Sequence, residues 1–90
     1  MSARPRIALY SASFCAECER ARTLLERHGL AFEEVDLGAD PERCCELEVL
    51  TGGRSVPQVV VDGRPIGGYA ELVAAVRGGR LAELNAGATL

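Results

Sequence analysis

Hydrophobic residues along the chain fall into short runs separated by Gly, Pro and acidic positions, and the period of each run points to an element. Arg6-Ile7-Ala8-Leu9-Tyr10 reads as a short buried strand, and Ser11-Ala12-Ser13-Phe14 as a loop whose hydroxyls are candidate helix caps. From Cys15 to about His28, Ala21, Leu24, Leu25 and His28 recur at helical spacing, and Gly29 supplies a stop. Phe32 to Leu37 alternates as a second strand, so the first strand, helix and second strand imply a right-handed crossover with parallel pairing. Asp40-Pro41 opens a second helix with an acidic cap and a proline at its first position, ending at Gly52-Gly53. Gln58 to Val61 and Arg64 to Ile66 flank Asp62-Gly63, the composition of a type I′ hairpin turn. Pro65 confines its strand to a sheet edge, since a proline cannot donate to a ladder on both sides. A third helix is predicted from about Tyr69 to Arg77 on the stripe Leu72, Val73 and Val76, and a short fourth from Arg80 to Asn85. The sum is an α/β domain: a four-stranded mixed sheet with helices on both faces.

The length of 90 residues allows one such domain, residues 1–90, with a core of about 6–85 and a tail of 86–90. A net charge of −3 leaves no basic surface of the size that nucleic acid needs, so no nucleic-acid partner is expected. All 10 basic residues are Arg and none is Lys. No window approaches the ~20 apolar residues of a membrane span, and the apolar stretch after Met1 is too short for a signal peptide. A cytoplasmic location without membrane contact is expected, and there thiols are kept reduced. Paired cysteines then read more readily as chemistry than as structural bridges. The 4 cysteines fit that reading, because Cys15 and Cys18 are three apart and Cys44 and Cys45 are adjacent, whereas a scaffold would spread them.

Three features carry the chemistry. Cys15-Ala16-Glu17-Cys18 opens the first helix, where two side chains three apart share a face and free backbone N–H groups and the helix dipole favour an anion. The thiolate is the reactive form of cysteine, and each pKa unit below ~8.5 represents about 1.4 kcal/mol of preferential thiolate stabilisation. Cys18, one turn inside, lacks that advantage and is placed to resolve a mixed disulfide on Cys15. The same spacing makes half a zinc site, and spacing alone does not separate the two; the preceding strand and following amphipathic helix favour redox chemistry. The second feature, Ser55-Val56-Pro57-Gln58, puts a proline at the start of a strand. A trans proline before the ladder is the plain explanation. A cis Val56-Pro57 bond, favoured beside Cys-x-x-Cys, would turn the Val56 N–H and C=O outward to pair with an extended thiol peptide. The third, Gly67-Gly68 before a helix, permits close backbone approach, and the N–H groups of Tyr69 and Ala70 suit a carboxylate.

From Ile7 to about Leu84 the chain resembles a glutaredoxin. The resemblance rests on Tyr10-Ser11 before Cys15-x-x-Cys18, then Ala21-Arg22-x-Leu24-Leu25, Ser55-Val56-Pro57-Gln58-Val59, and Asp62-Gly63-Arg64 leading to Ile66-Gly67-Gly68-Tyr69. It implies a thioredoxin-like fold and reduction of protein disulfides or glutathione mixed disulfides, with glutathione as electron donor and no bound cofactor or metal. The expected partners are glutathione and disulfide-containing client proteins, and the expected state is a monomer. By similarity Cys15 is the nucleophile and Cys18 the resolving thiol. Val56 with cis Pro57 forms a backbone clamp, Gly68, Tyr69 and Ala70 receive the γ-glutamyl end of glutathione, and Arg54 meets its glycine carboxylate. Phe14 is expected as an apolar wall of the thiol site.

The sequence also departs from the family. Ala16-Glu17 replaces the usual Pro-Tyr between the cysteines, and the carboxylate of Glu17 opposes both the helix dipole and anionic glutathione by no more than about 1 kcal/mol each when exposed. Ala12 stands where a Lys is common, and Ala70 where a polar residue follows Gly-Gly-Tyr. Some small relatives draw electrons from thioredoxin reductase, but these typically lack the Gly-Gly feature. A metal or iron–sulfur module using Cys15 across a dimer, joined by Cys44 or Cys45, is the competing class. Cys44 shares a stripe with Leu47 and Leu50 and reads mainly as a small core residue, with glutathionylation, an intermolecular disulfide or metal binding as alternatives for the pair. Tyr10 reads as core, and His28 as a dipole partner at a helix end.

Overall fold

Alternation along the two central strands divides the core in two. The structure, a computed structural model, describes residues 6–81. Along the chain run β1 (Ile7–Ser11), α1 (Ala16–Arg27), β2 (Phe32–Asp36), a 3-10 turn (Pro41–Arg43) leading into α2 (Cys44–Thr51), β3 (Gln58–Val61), β4 (Arg64–Gly67) and α3 (Tyr69–Arg77). The sheet has the order β2-β1-β3-β4. β1 pairs parallel with β2 and antiparallel with β3, and β3 pairs antiparallel with β4, so the sheet is mixed and Pro65 lies on an edge strand. Because side chains alternate across a strand, Ile7, Leu9 and Val59 meet Ala21 and Leu25 of α1 and Leu72 and Ala75 of α3. Tyr10 and Val60 point the other way and pack on Val35, Leu37 and Leu47, with Leu47 supplied by α2. Truncating a fully buried leucine such as Leu25 or Leu47 would cost about 2–5 kcal/mol. The hairpin has Asp62 and Gly63 both at positive φ, 52° and 79°, as a type I′ turn requires.

Three expectations need correction. The cap of α1 is no hydroxyl of Ser11 or Ser13 but the sulfur of Cys15, which accepts from the Cys18 N–H at 3.2 Å. Asp40 makes no side-chain cap bond to the second helix, which begins instead as the 3-10 turn, with the Cys44 N–H donating to Pro41 O. The Asp40 carboxyl faces that of Glu42, and this hydrogen bond, with burial and the charge of Glu42, holds its pKa above the usual value. In the segment expected as a fourth helix, Arg80 and Leu81 form a turn, with Leu81 packed into the first half of the core. Residues 82–85 and the tail of 86–90 lie outside the described residues. No described helix is long and apolar enough to cross a membrane.

Candidate functional site

The loop between β1 and α1 is anchored from below by charge. Ser11 Oγ donates to Glu34 Oε2 at 2.9 Å, and Arg22 grips both oxygens of the same carboxylate at 2.8 and 2.6 Å, tying the end of β1 to β2 and α1. The Arg22 hydrogen bond, reinforced by Ser11, lowers the pKa of Glu34 against the opposing effect of burial. Above this anchor Phe14 takes a left-handed backbone, φ 58°, and turns its ring wholly to solvent. It projects beside the thiols rather than walling them in. Cys15 follows with extended backbone, φ −118° and ψ 103°, as the N-cap of α1.

Cys15 and Cys18 are joined by a disulfide, with their Cα atoms 5.2 Å apart. The two sulfurs differ in setting: Cys18 is 1% exposed and belongs to the core, whereas Cys15 is half-buried at the helix end. The Cys18 N–H aimed at Cys15 Sγ is one of the donors that a helix start leaves without an intrahelical acceptor, and it can hold a negative sulfur once the bridge opens. The arrangement is therefore a disulfide with one accessible end, Cys15, and one buried end, Cys18.

Val56 precedes Pro57 through a cis bond. Val56 lies ahead of Gln58, which pairs with Tyr10 at the end of the β1 ladder, so its N–H and C=O are not taken up by that strand. A side chain at Gly68 would meet Pro57 O at 3.2 Å, so the close backbone approach permitted there is made by the protein's own cis-proline segment. Tyr69 shares a groove with Ala16, the residue next to Cys15. Through these contacts the starts of α1 and α3 and the cis-proline segment meet at one end of the sheet. Helix geometry leaves the N–H groups of Tyr69 and Ala70 open, but the Gly68 N–H donates to Glu71 Oε1 at 2.8 Å.

Arg54, two residues before Val56, is paired within its own region of the chain. Its guanidinium donates to Glu48 Oε1 at 2.7 Å on the surface. Cys44 packs with Leu47 and Leu50 against the second core half, as its spacing implies, and Cys45 is exposed. Tyr10 is buried, and its hydroxyl donates to Glu46 Oε1 at 3.0 Å; burial first, then this bond, raises its pKa. His28 is the C-cap of α1. Among the described residues no group of three or more His, Cys, Asp and Glu side chains is arranged to hold a metal ion.

Two features of the site were not read from the sequence. Glu71 lies three positions into the helix from Gly68, the spacing of a capping box, and that signal was available. The Glu48–Arg54 pair spans a helix end and a loop and has no periodic signature.

The glutaredoxin family model matches residues 7–66. A glutaredoxin of Pseudomonas aeruginosa is 35% identical over 77 residues, covering 86% of this chain and 92% of that protein. Glutaredoxin 3 of Escherichia coli is 32% identical over 74 residues, covering 81% and 89%. Among solved structures, a buckwheat glutaredoxin–glutathione complex superposes with a TM-score of 0.74 at 26% identity, covering 89% of this chain and 76% of that one. A wheat glutaredoxin gives 0.73 at 30% identity, covering 88% and 77%. With its thioredoxin-like fold, the chain belongs to the glutaredoxin family, whose members are thiol-disulfide oxidoreductases.

Proposed function

We propose that the protein is a glutathione-linked dithiol oxidoreductase in which Cys15 is the nucleophile and Cys18 the resolving thiol. The observation that carries this reading is the asymmetric Cys15–Cys18 disulfide at the cap of α1, with the Cys18 N–H directed at the Cys15 sulfur. In the reduced protein, the Cys15 thiolate attacks one sulfur of a client disulfide. A Cys15–client bond forms, the client bond breaks, and the departing thiolate takes up a proton. Cys18, deprotonated, then attacks the Cys15 sulfur, releases the second client thiol and leaves the oxidised pair. One glutathione opens that pair as a mixed disulfide on Cys15, a second removes the first as glutathione disulfide, and two electrons have passed to the client.

Val56, with backbone groups beyond the ladder, serves as clamp for an extended thiol peptide, held in place by cis Pro57. Gly68, Tyr69 and Ala70 offer the α3 start to the γ-glutamyl carboxylate, Arg54 meets the glycine carboxylate after exchanging Glu48 for it, and Phe14 gives clients an apolar contact. The buckwheat neighbour with glutathione supports this choice of donor. Glu71 at the Gly68 N–H, Glu17 between the cysteines, and Ala12 and Ala70 in place of polar groups all predict weak glutathione affinity. A cytoplasmic setting fits, because a reducing pool is needed to recycle the pair. The test is to give the oxidised protein glutathione with glutathione reductase, or thioredoxin reductase alone, and follow NADPH. Consumption only with the glutathione system is expected; consumption only with thioredoxin reductase would overturn the glutathione link.

A further inference from the structure

A groove of about 450 Å³ runs beside Cys15 along α1 and is lined by Ala16, Glu19, Arg20, Leu24, Arg27 and Tyr69 among others. Ala16, Arg20 and Arg27 recur at the four- and seven-residue intervals that keep side chains on one helix face, so this wall is continuous for about 16 Å from the cysteine end. That length matches about five residues of extended chain. Four other arginines are committed: Arg6 to Asp62, Arg22 to Glu34, Arg43 to Glu33 and Glu46, and Arg54 to Glu48. Arg20 and Arg27 are exposed and appear in no ion pair among the described residues. The wall has one acidic member, Glu19. On a chain of net charge −3, two arginines without an ion-pair partner among the described residues therefore face, against one glutamate, a groove that reaches Ala16, the residue after Cys15.

We propose that this groove docks an extended acidic segment of the client protein next to its disulfide, with Arg20 and Arg27 taking carboxylates and Leu24 and Tyr69 the intervening apolar surface. The proposal rests on the reading of Cys15 as nucleophile and adds the substrate class. The groove includes neither Val56 nor Arg54, so it selects clients on a surface largely separate from the clamp and from Arg54, sharing only Tyr69 with the residues offered to glutathione. Exposed charge pairs of this kind act mainly on association rate and partner choice, and they weaken with salt.

The test uses two symmetric disulfide-linked peptides that differ only in having Glu or Gln on both sides of the cysteine. Second-order rates with the reduced protein are measured at low ionic strength, with dithiothreitol rather than glutathione used to reduce the protein beforehand. The wild type is expected to prefer the Glu peptide several-fold. That preference should fall about tenfold in Arg20→Glu/Arg27→Glu, return in Arg20→Lys/Arg27→Lys, persist in Arg64→Glu on the edge strand, and fade near 0.5 M salt. Equal wild-type rates for the two peptides, or a preference that survives charge reversal, would overturn the groove assignment. Failure of the wild type to react with either peptide would instead overturn the reading of Cys15 itself.

Discussion

Two pairs of cysteines open two helices of the same small protein, and only one pair forms a bridge. Cys15 caps α1, and the Cys18 N–H is directed at its sulfur. Cys44 begins α2, but there the 3-10 turn has already engaged the first amides: the Arg43 N–H donates to Asp40 O at 3.1 Å and the Cys44 N–H to Pro41 O. A helix start attracts an anion through its unengaged donors, so a cysteine placed after they are engaged gains little from its position. Spacing completes the difference. Residues three apart share a face and those side by side diverge by about 100°, which sends Cys44 into the core and Cys45 to the surface.

The two helix entrances are otherwise built alike. Adjacent residues of β2 point to opposite faces of the sheet, and each grips the helix on its own side: Glu34 holds Arg22 of α1, and Glu33 holds Arg43, which also bonds Glu46 of α2. The entrances are comparably anchored, so the contrast between the thiol pairs comes from amide availability and spacing.

Substitutions should separate the two regions in graded order. Replacing Cys15 by Ser is expected to lower disulfide reduction on the order of 10³-fold or more, because the hydroxyl is a far weaker nucleophile. Replacing Cys18 by Ser should abolish release of protein clients through the intramolecular route while leaving reduction of glutathione mixed disulfides partly intact. Steady-state assays on both substrate types would show the split. At the second pair the readout moves from chemistry to stability. Cys44→Ala should cost about 1 kcal/mol in urea unfolding and Cys45→Ala under about 0.5, each leaving turnover within about twofold of wild type. Large kinetic effects at Cys44 or Cys45 would erase the distinction drawn here.

A pH-dependent stability effect of comparable size lies beneath the active pair. Arg22 lowers the Glu34 pKa, so the ion pair stabilises the fold above the unfolded value and that contribution is lost as pH falls through the native one. Glu34→Gln should therefore destabilise by about 0.5–1 kcal/mol at neutral pH, with the deficit closing below about pH 4. Paired denaturation curves at pH 7 and pH 3 would check the sign.

The fold was legible because short periodic runs and turn chemistry agreed: the strand pattern, Asp62-Gly63 and Pro65 each found their expected places. The cysteine pair and cis Pro57 were legible as well, since Cys-x-x-Cys and Val-Pro are local. What escaped were partners distant in sequence or chosen among several carboxylates. Glu48 on Arg54, Glu34 on Arg22 and Pro57 O against Gly68 depend on how helices settle on the sheet. The α2 start was misread for a related reason, because Asp-Pro is compatible with both an α-helix and a 3-10 turn.

The most direct test of the contrast between the two pairs is competitive alkylation of the fully reduced protein by sub-stoichiometric iodoacetamide near pH 6, with the modified residues read by peptide mass spectrometry. The account predicts that Cys15 is labelled first and well ahead of Cys45, despite the greater exposure of Cys45. Labelling of Cys45 before Cys15, or equal labelling of the two, would contradict it.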